Sequence, residues 1–310
     1  QFVFGIIFLL IILFAIEGLL RIYDYYNYQC SFMESNIYKE LDYSKQKQMC
    51  NDYRDTASRG GIDIHYQPNQ QSETIHINNF GMRGEDITKE KQVDTYRIIM
   101  VGGSTVFGSG STSDEKTIPS FLQQKIEDSK IVKQVEVINA GIEGITSIEE
   151  TIRIENELID FNPDMIIIYD GFNDNVISWG KYIDNSKLKT SIQKEILYLF
   201  QTLLPEYKTP LNGVFFLESI TENANLRNNT LTTPWIKSDH VYERASLWNE
   251  RMKETCELGN KLGFKTIIIL QPFLGTSNRV LTEYEYNQFS LIGGEKNIEN
   301  YDKFATGLTN

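Results

Sequence analysis

Apolar and polar positions follow three different periods along this chain, and each marks a different kind of element. From Phe2 to Leu20 nearly every residue is apolar, and Glu17 is the only charge. At ~1.5 Å per residue this run reaches about 28 Å, roughly a bilayer core. Arg21 and the tyrosines Tyr23, Tyr25, Tyr26 and Tyr28 follow as an interfacial border. The pattern predicts a single membrane anchor over 1–21. A cleaved signal peptide fits less well, because no small-x-small site follows the run. Residues 22–60 are polar, tyrosine-rich and without clear period, and short alternating segments appear from Gly60 to Arg83. Residues 22–77 are therefore expected to form a juxtamembrane stalk, with the main domain over 78–310.

Within that domain, buried-strand runs alternate with helical spacing. Five of the six residues from Tyr96 to Val101 are apolar or aromatic, and the run stops at Gly102-Gly103-Ser104. Thr117 to Ile126 has helical spacing, with Pro119 in the first turn where proline is tolerated. Val135–Ile138 reads as the next strand. Ile148, Ile152, Ile154 and Leu158 mark a helix to Phe161, stopped by Pro163. Met165–Tyr169 is an uninterrupted apolar strand, Val241–Leu262 a long helix, and Thr266–Leu270 another buried strand. Strand–helix–strand–helix–strand with polar Gly/Asn loops predicts an α/β fold, a doubly wound parallel sheet in an α/β/α sandwich. Residues 175–239 form an insertion in which Leu188, Ile192, Ile196, Phe200 and Leu203 share one helical face, ended by Pro205. From Gln271 to Asn310 no further strand is evident.

Composition narrows the function. Lys plus Arg number 30 against 42 Asp plus Glu, a net charge of −12, which disfavours nucleic acid as a partner. Three cysteines fit neither a zinc site nor a dense disulfide framework. Cys30 and Cys50 are close enough to pair if their region is extracytoplasmic, while Cys256 lies in a helical pattern and is expected to be a buried thiol. Glu73-x-x-His76 has the spacing of helical metal ligands. Thr74, Ile75 and Ile77 favour a strand there, however, and no third ligand is evident, so His76 and His65 read as surface histidines. No metal or organic cofactor is expected. Asn228-Asn229-Thr230 is a formal glycosylation sequon, of use only on an outward-facing domain.

The candidate chemistry lies in the loops after the strands. In an open α/β sheet ligands bind at the strands' C-terminal ends. A glycine pair there lets the backbone turn sharply, so Ser104 is presented much as a nucleophile would be. The same residues also suit a plain turn, with Ser104 or Thr105 capping a helix. A P-loop does not fit, because Ser109 stands where the phosphate-binding lysine must be, and no G-x-G-x-x-G follows the strand.

Gly102-Gly103-Ser104-Thr105, Asn139-Ala140-Gly141 and Gly171-Phe172-Asn173-Asp174 each follow a strand. In this order and spacing they resemble the SGNH (GDSL-like) hydrolase family over roughly Asn78 to Pro272. The resemblance implies Ser104 as nucleophile, with an oxyanion hole made by the backbone N–H of Ser104, the backbone N–H of Gly141 and the side-chain amide of Asn173. Such donors must already be aimed at the charge that develops on the acyl oxygen. It also implies an acyl-ester substrate, hydrolysed or transferred through an acyl-serine, with an envelope carbohydrate as the natural acyl carrier. The family's base sits in an Asp-x-x-His motif near the C-terminus, and this chain has none. His240, preceded by Asp239, falls in the wrong place in that order. Given the start at Gln1, not Met, and the abrupt polar end, the last catalytic block is expected to lie beyond Asn310. The competing expectation is a non-catalytic envelope protein that binds glycan on the same fold.

Overall fold

The computed structural model describes residues 35–56, 66–176, 241–276, 279–291 and 294–308, with isolated residues between 5 and 33. The chain divides into two units, Gln1–Ser31 with Lys187–Thr233, and Phe32–Ser186 with Pro234–Asn310. In the first unit, Phe8, Ile11, Phe14 and Leu19 are helical and 60–67 % exposed. Among the described residues no helix is long and apolar enough to cross a membrane. Most of the expected anchor, the insertion from 177 onward, the Asn228 sequon, His65 and His240 lie outside the described residues.

The second unit opens with helix α1 (Tyr43–Thr56) and a short antiparallel pair, β1 (Gln70–Gln71) and β2 (His76–Ile77). Then come β3 (Thr95–Gly102), the one-turn helix α2 (Ser104–Phe107), α3 (Ile118–Ser129) and β4 (Gln134–Asn139). Next are α4 (Ser147–Asn156), β5 (Met165–Asp170), the short helix α5 (Phe172–Val176), α6 (Val241–Leu262) and β6 (Lys265–Leu270). Helices α7 (Glu283–Leu291) and α8 (Gly294–Gly307) follow. Strands β3 to β6 form one parallel sheet in the order β4-β3-β5-β6.

Strand β3 is central, which is why its sequence is a continuous apolar run and not an alternating one. Its odd and even residues face opposite layers. Ile99 and Val101 join Ile138, Ile166 and Ile168 against Ile154 of α4, Trp248 of α6 and Phe304 of α8. Ile98 and Met100 join Val135 and Ile167 against Val106 and, in α3, Leu122 and Ile126. Helices therefore cover both faces of the sheet. Arg97, the polar exception in the run, is 1 % exposed and meets Glu136 at 2.5 Å and the carbonyls of Lys89 and Phe161.

Three local expectations change. The helix expected to reach Phe161 ends at Asn156, and a 3₁₀ turn continues to Phe161. Asn162 then takes a left-handed conformation (φ 56°), and Pro163 disfavours the helical region for the residue before it. Strand β6 forms as expected but is not buried: Ile267 and Ile269 are 42 and 40 % exposed, since β5 is its sole paired strand among the described residues. Cys256 is half-buried, and burial raises its thiol pKa. The sequence pattern also gave no sign of α1, α7 or α8.

Tyr66, Ile75 and Ile77, within the stretch read from sequence as stalk, pack in one cluster with Phe107, Ile142 and Ile145. Asp52 of α1 accepts from Thr74 N at 2.9 Å and Thr74 Oγ1 at 2.8 Å. Cys30 and Cys50 are both disulfide-bonded, and Cys256 is free.

Candidate active site

The carboxyl end of β3 sets the site. Gly103 caps α2, and Ser104 is its first residue, partly exposed. First-turn N–H groups of a helix have no carbonyl within it to bond, so this end is rich in donors. Among the described residues Ser104 Oγ has no hydrogen-bond partner. Thr105 Oγ1, beside it, accepts from Gln271 Nε2 at 2.9 Å, and Tyr301 donates to the Gln271 carbonyl at 2.7 Å. Burial, with Tyr169 and Asp302 nearby, pushes the Tyr301 hydroxyl up to about 12.

The other two loops meet this turn. Ala140 N and Ile142 N donate to the carbonyls of Met100 and Gly102, which run the 139–142 backbone alongside the end of β3. A Cβ at position 141 would overlap the Phe107 nitrogen and come within 2.7 Å of the Val106 carbonyl carbon, so only glycine fits. On the opposite side, Asn173 Nδ2 lies 2.7 Å from where a Cβ at Gly103 would stand. The same nitrogen donates to Ile145 O at 2.7 Å. Asn173 thus fills the space beside the residue before Ser104 and bonds the loop that carries Gly141.

The structure therefore brings Ser104, Gly141 and Asn173 to one end of the sheet. In one respect the arrangement departs from the expectation: the Gly141 N–H donates to Asn139 Oδ1 at 3.1 Å, and Asn139 in turn donates to Phe107 O at 3.2 Å. The expected donor is engaged by its own loop. No histidine approaches Ser104 among the described residues, and His76 turns its ring nitrogen toward Asp86 at 4.0 Å. No group of three or more His, Cys, Asp or Glu side chains suits a metal ion among the described residues.

Other residues at the site were not singled out from sequence. Gln271 follows β6 as Ser104 follows β3, and the rule that ligands meet strand C-termini could have flagged it. Phe172, Phe273 and Tyr301 stack in a row, with ring centroids 5.3 and 5.5 Å apart. Glu143 accepts from both Tyr53 and Ser109, and its backbone N–H donates to Tyr66 at 3.1 Å. Burial first, and then the Glu143 charge, drive the Tyr53 hydroxyl far above its ordinary range. Arg83 binds the underside of α2: it is 3 % exposed, pairs with Asp114 at 2.7 Å and donates to Gly108 O at 2.8 Å and Thr74 O at 3.0 Å.

No family model and no curated protein matches the chain. Solved structures similar to it include TesA, at 14% identity over 68% of this chain and 72% of that one, with a TM-score of 0.34. The acetyl xylan esterase AlAXEase is similar at 14% identity over 67% and 74%, with a TM-score of 0.32. A GDSL-like lipase from Bacteroides thetaiotaomicron is similar at 15% identity over 71% and 69%, with a TM-score of 0.29. Likeness of this degree assigns no role to any residue, so the functional reading rests on the site itself.

Proposed function

We propose that this protein is a serine esterase of the SGNH type, which cleaves or transfers an acyl ester through a covalent acyl-serine. The observation that carries the reading is the position of the Asn173 amide, which fills the space where a side chain on Gly103, the residue before Ser104, would stand. In this reading Ser104 Oγ attacks the acyl carbon and its proton passes to a base. The carbonyl oxygen gains charge against the Ser104 N–H and the Asn173 amide, and the alcohol departs with a proton. Water or an acceptor hydroxyl then takes the acyl group, and Ser104 regains its proton. Gly141 keeps its loop against α2, and its N–H joins the oxyanion site once Asn139 releases it. An acetylated envelope carbohydrate is the proposed substrate class.

The proposed setting is a membrane anchor over 1–21 with the catalytic domain outside the cytoplasm. The exposed apolar helical residues Phe8, Ile11, Phe14 and Leu19 support the first point. The disulfide-bonded state of Cys30 and Cys50 supports the second, because disulfides persist in oxidising compartments. A second reading, a non-catalytic glycan-binding protein on the same fold, draws on a Ser104 Oγ without a hydrogen-bond partner among the described residues and on the engaged Gly141 N–H.

Fluorophosphonate labelling of native membranes separates the two. The esterase reading expects modification at Ser104 and none in Ser104→Ala. A folded chain that stays unlabelled while retaining acetylated glycan would leave the binding protein.

A further inference from the structure

Beneath the three loops lies a set of acids for which the proposed chemistry has no use. Glu150 of α4 and Asp170 at the end of β5 are fully buried, and Asp174 of α5 is 4 % exposed. Asp174 has donors, Ser147 N at 3.1 Å and Ser147 Oγ at 2.5 Å. Glu150 and Asp170 have none: all four of their carboxyl oxygens are buried without a hydrogen-bond partner among the described residues. Yet Asp170 lies within hydrogen-bond reach of both Glu150 and Asp174.

Two ionised carboxylates facing each other without a donor are costly in a dry interior. A proton on Asp170 removes one charge and converts an orphaned acceptor into a donor. No cation among the described residues bonds these four oxygens. Arg153, on the same helix as Glu150, donates Nε to Glu157 at 3.1 Å and Nη1 to Ala140 O at 2.7 Å. Glu149 is engaged with Thr146, and Arg244 is the buried cation contributed by α6. Burial, then the neighbouring acid charges, push Glu150 and Asp170 well above the ordinary carboxylate range. Asp174 is raised by burial and pulled back by the bonds from Asp170 and Ser147.

The acids connect directly to the site. Asp174 follows Asn173 in the chain, and adjacent residues of α5 therefore grip one loop twice, Asn173 at Ile145 O and Asp174 at Ser147. We propose that Asp170 carries a proton and acts as a positioning residue, donating to Asp174 so that this double grip holds Asn173 and the Gly141 loop in one arrangement. The inference rests on the reading of Asn173 as an oxyanion donor.

The pH sign follows from linkage. Raised values mean that the folded chain keeps a proton the unfolded chain releases near about pH 4. The grip is complete at low pH and loosens as pH rises through the network's own value.

The test uses the full chain in detergent with ¹⁵N-asparagine, comparing wild type, Asp170→Asn and Glu150→Gln from about pH 5 to about pH 9, above the ordinary carboxylate value. The Asn173 side-chain amide signal and the rate of fluorophosphonate labelling at Ser104 are followed on the same samples. In wild type the Asn173 signal should move with rising pH, and labelling should fall about a hundredfold, the effect of one lost oxyanion donor. Asp170→Asn, which still donates but cannot ionise, should keep the low-pH signal and rate throughout. Glu150→Gln should narrow the titration, and it provides the comparison if Asp170→Asn does not fold. An Asn173 signal that stays fixed in wild type, or titrates identically in the variants, overturns the proposal. If Asn173 titrates in wild type alone but Ser104 is never labelled, the grip stands and the esterase reading falls.

Discussion

Adding the same methyl group at Gly103 and at Gly141 should have opposite consequences, because what each would strike is different. At 141 the new Cβ meets backbone, overlapping the Phe107 nitrogen with Val106 C and Phe107 Cα within 2.8 Å. Backbone of a capped turn between two strands cannot yield cheaply, and overpacking of this kind costs about 1–3 kcal/mol or more. At a few degrees per kcal/mol, Gly141→Ala should lower Tm by about 5–10 °C. At 103 the new Cβ meets only the far end of a side chain, Asn173 Nδ2 at 2.7 Å. The backbone there is extended (φ −79°, ψ −153°) and accepts an L residue. Displacing the amide forfeits its bond to Ile145 O, about 1 kcal/mol, and the lower entropy of the unfolded alanine chain offsets about 0.4–1 kcal/mol of that. Gly103→Ala should therefore keep a near wild-type Tm while labelling at Ser104 slows about 10²–10³-fold, as for a lost oxyanion donor. Differential scanning calorimetry and timed fluorophosphonate labelling on matched samples would check both. A Gly103→Ala protein that labels at the wild-type rate would remove Asn173 from the proposed mechanism.

Arg83→Met should lower stability by about 3–5 kcal/mol, since it leaves the half-buried Asp114 and the carbonyls of Gly108 and Thr74 without their donor; chemical denaturation would measure it. Burial already raises the Asp114 carboxyl against the pull of Arg83, so part of that loss should be recovered on acidification. Glu150→Gln should raise Tm at about pH 7 and make no difference near about pH 4, where the wild-type acid is protonated in both folded and unfolded chains; a Tm series against pH reads this directly. Alkylation of the unfolded, unreduced chain should modify Cys256 alone, and reduction should expose Cys30 and Cys50 to the same reagent, as counted by mass spectrometry.

The central sheet was legible because burial on both faces leaves a mark that needs no context: Ile98–Val101 and Ile166–Ile168 admit no polar residue. Val241–Leu262 was equally plain. The convergence of Ser104, Gly141 and Asn173 could be anticipated because parallel strands bring their following loops to one edge. Long-range polar pairing left no such trace. Nothing local marks Gln271 as the partner of Thr105, 166 residues earlier, or Asp52 as the partner of Thr74. Helix α1 escaped because its buried face is only Met49, Cys50, Asp52 and Thr56, two of them polar. Nothing local marks Glu150, Asp170 and Asp174 as enclosed acids, which only the fold shows. The engagement of the Gly141 N–H by Asn139 is a local geometric detail that a family pattern does not carry.

The cluster of Tyr66, Ile75 and Ile77 against Phe107, Ile142 and Ile145 bears on where the smallest self-sufficient piece of this protein begins. By motif alone the domain would be excised at 78. That cut would strip three side chains from the back of the Ser104 turn and leave Phe107, Ile142 and Ile145 facing water, at about 1.5–3 kcal/mol for each large apolar group uncovered. It would also remove Tyr53 from Glu143 and Asp52 from the segment around Thr74. For expression or crystallisation the boundary belongs ahead of α1, before 35. The segment from 66 to 77 is then best regarded as the rear wall of the Ser104 turn, laid down by the ribosome before the turn itself exists.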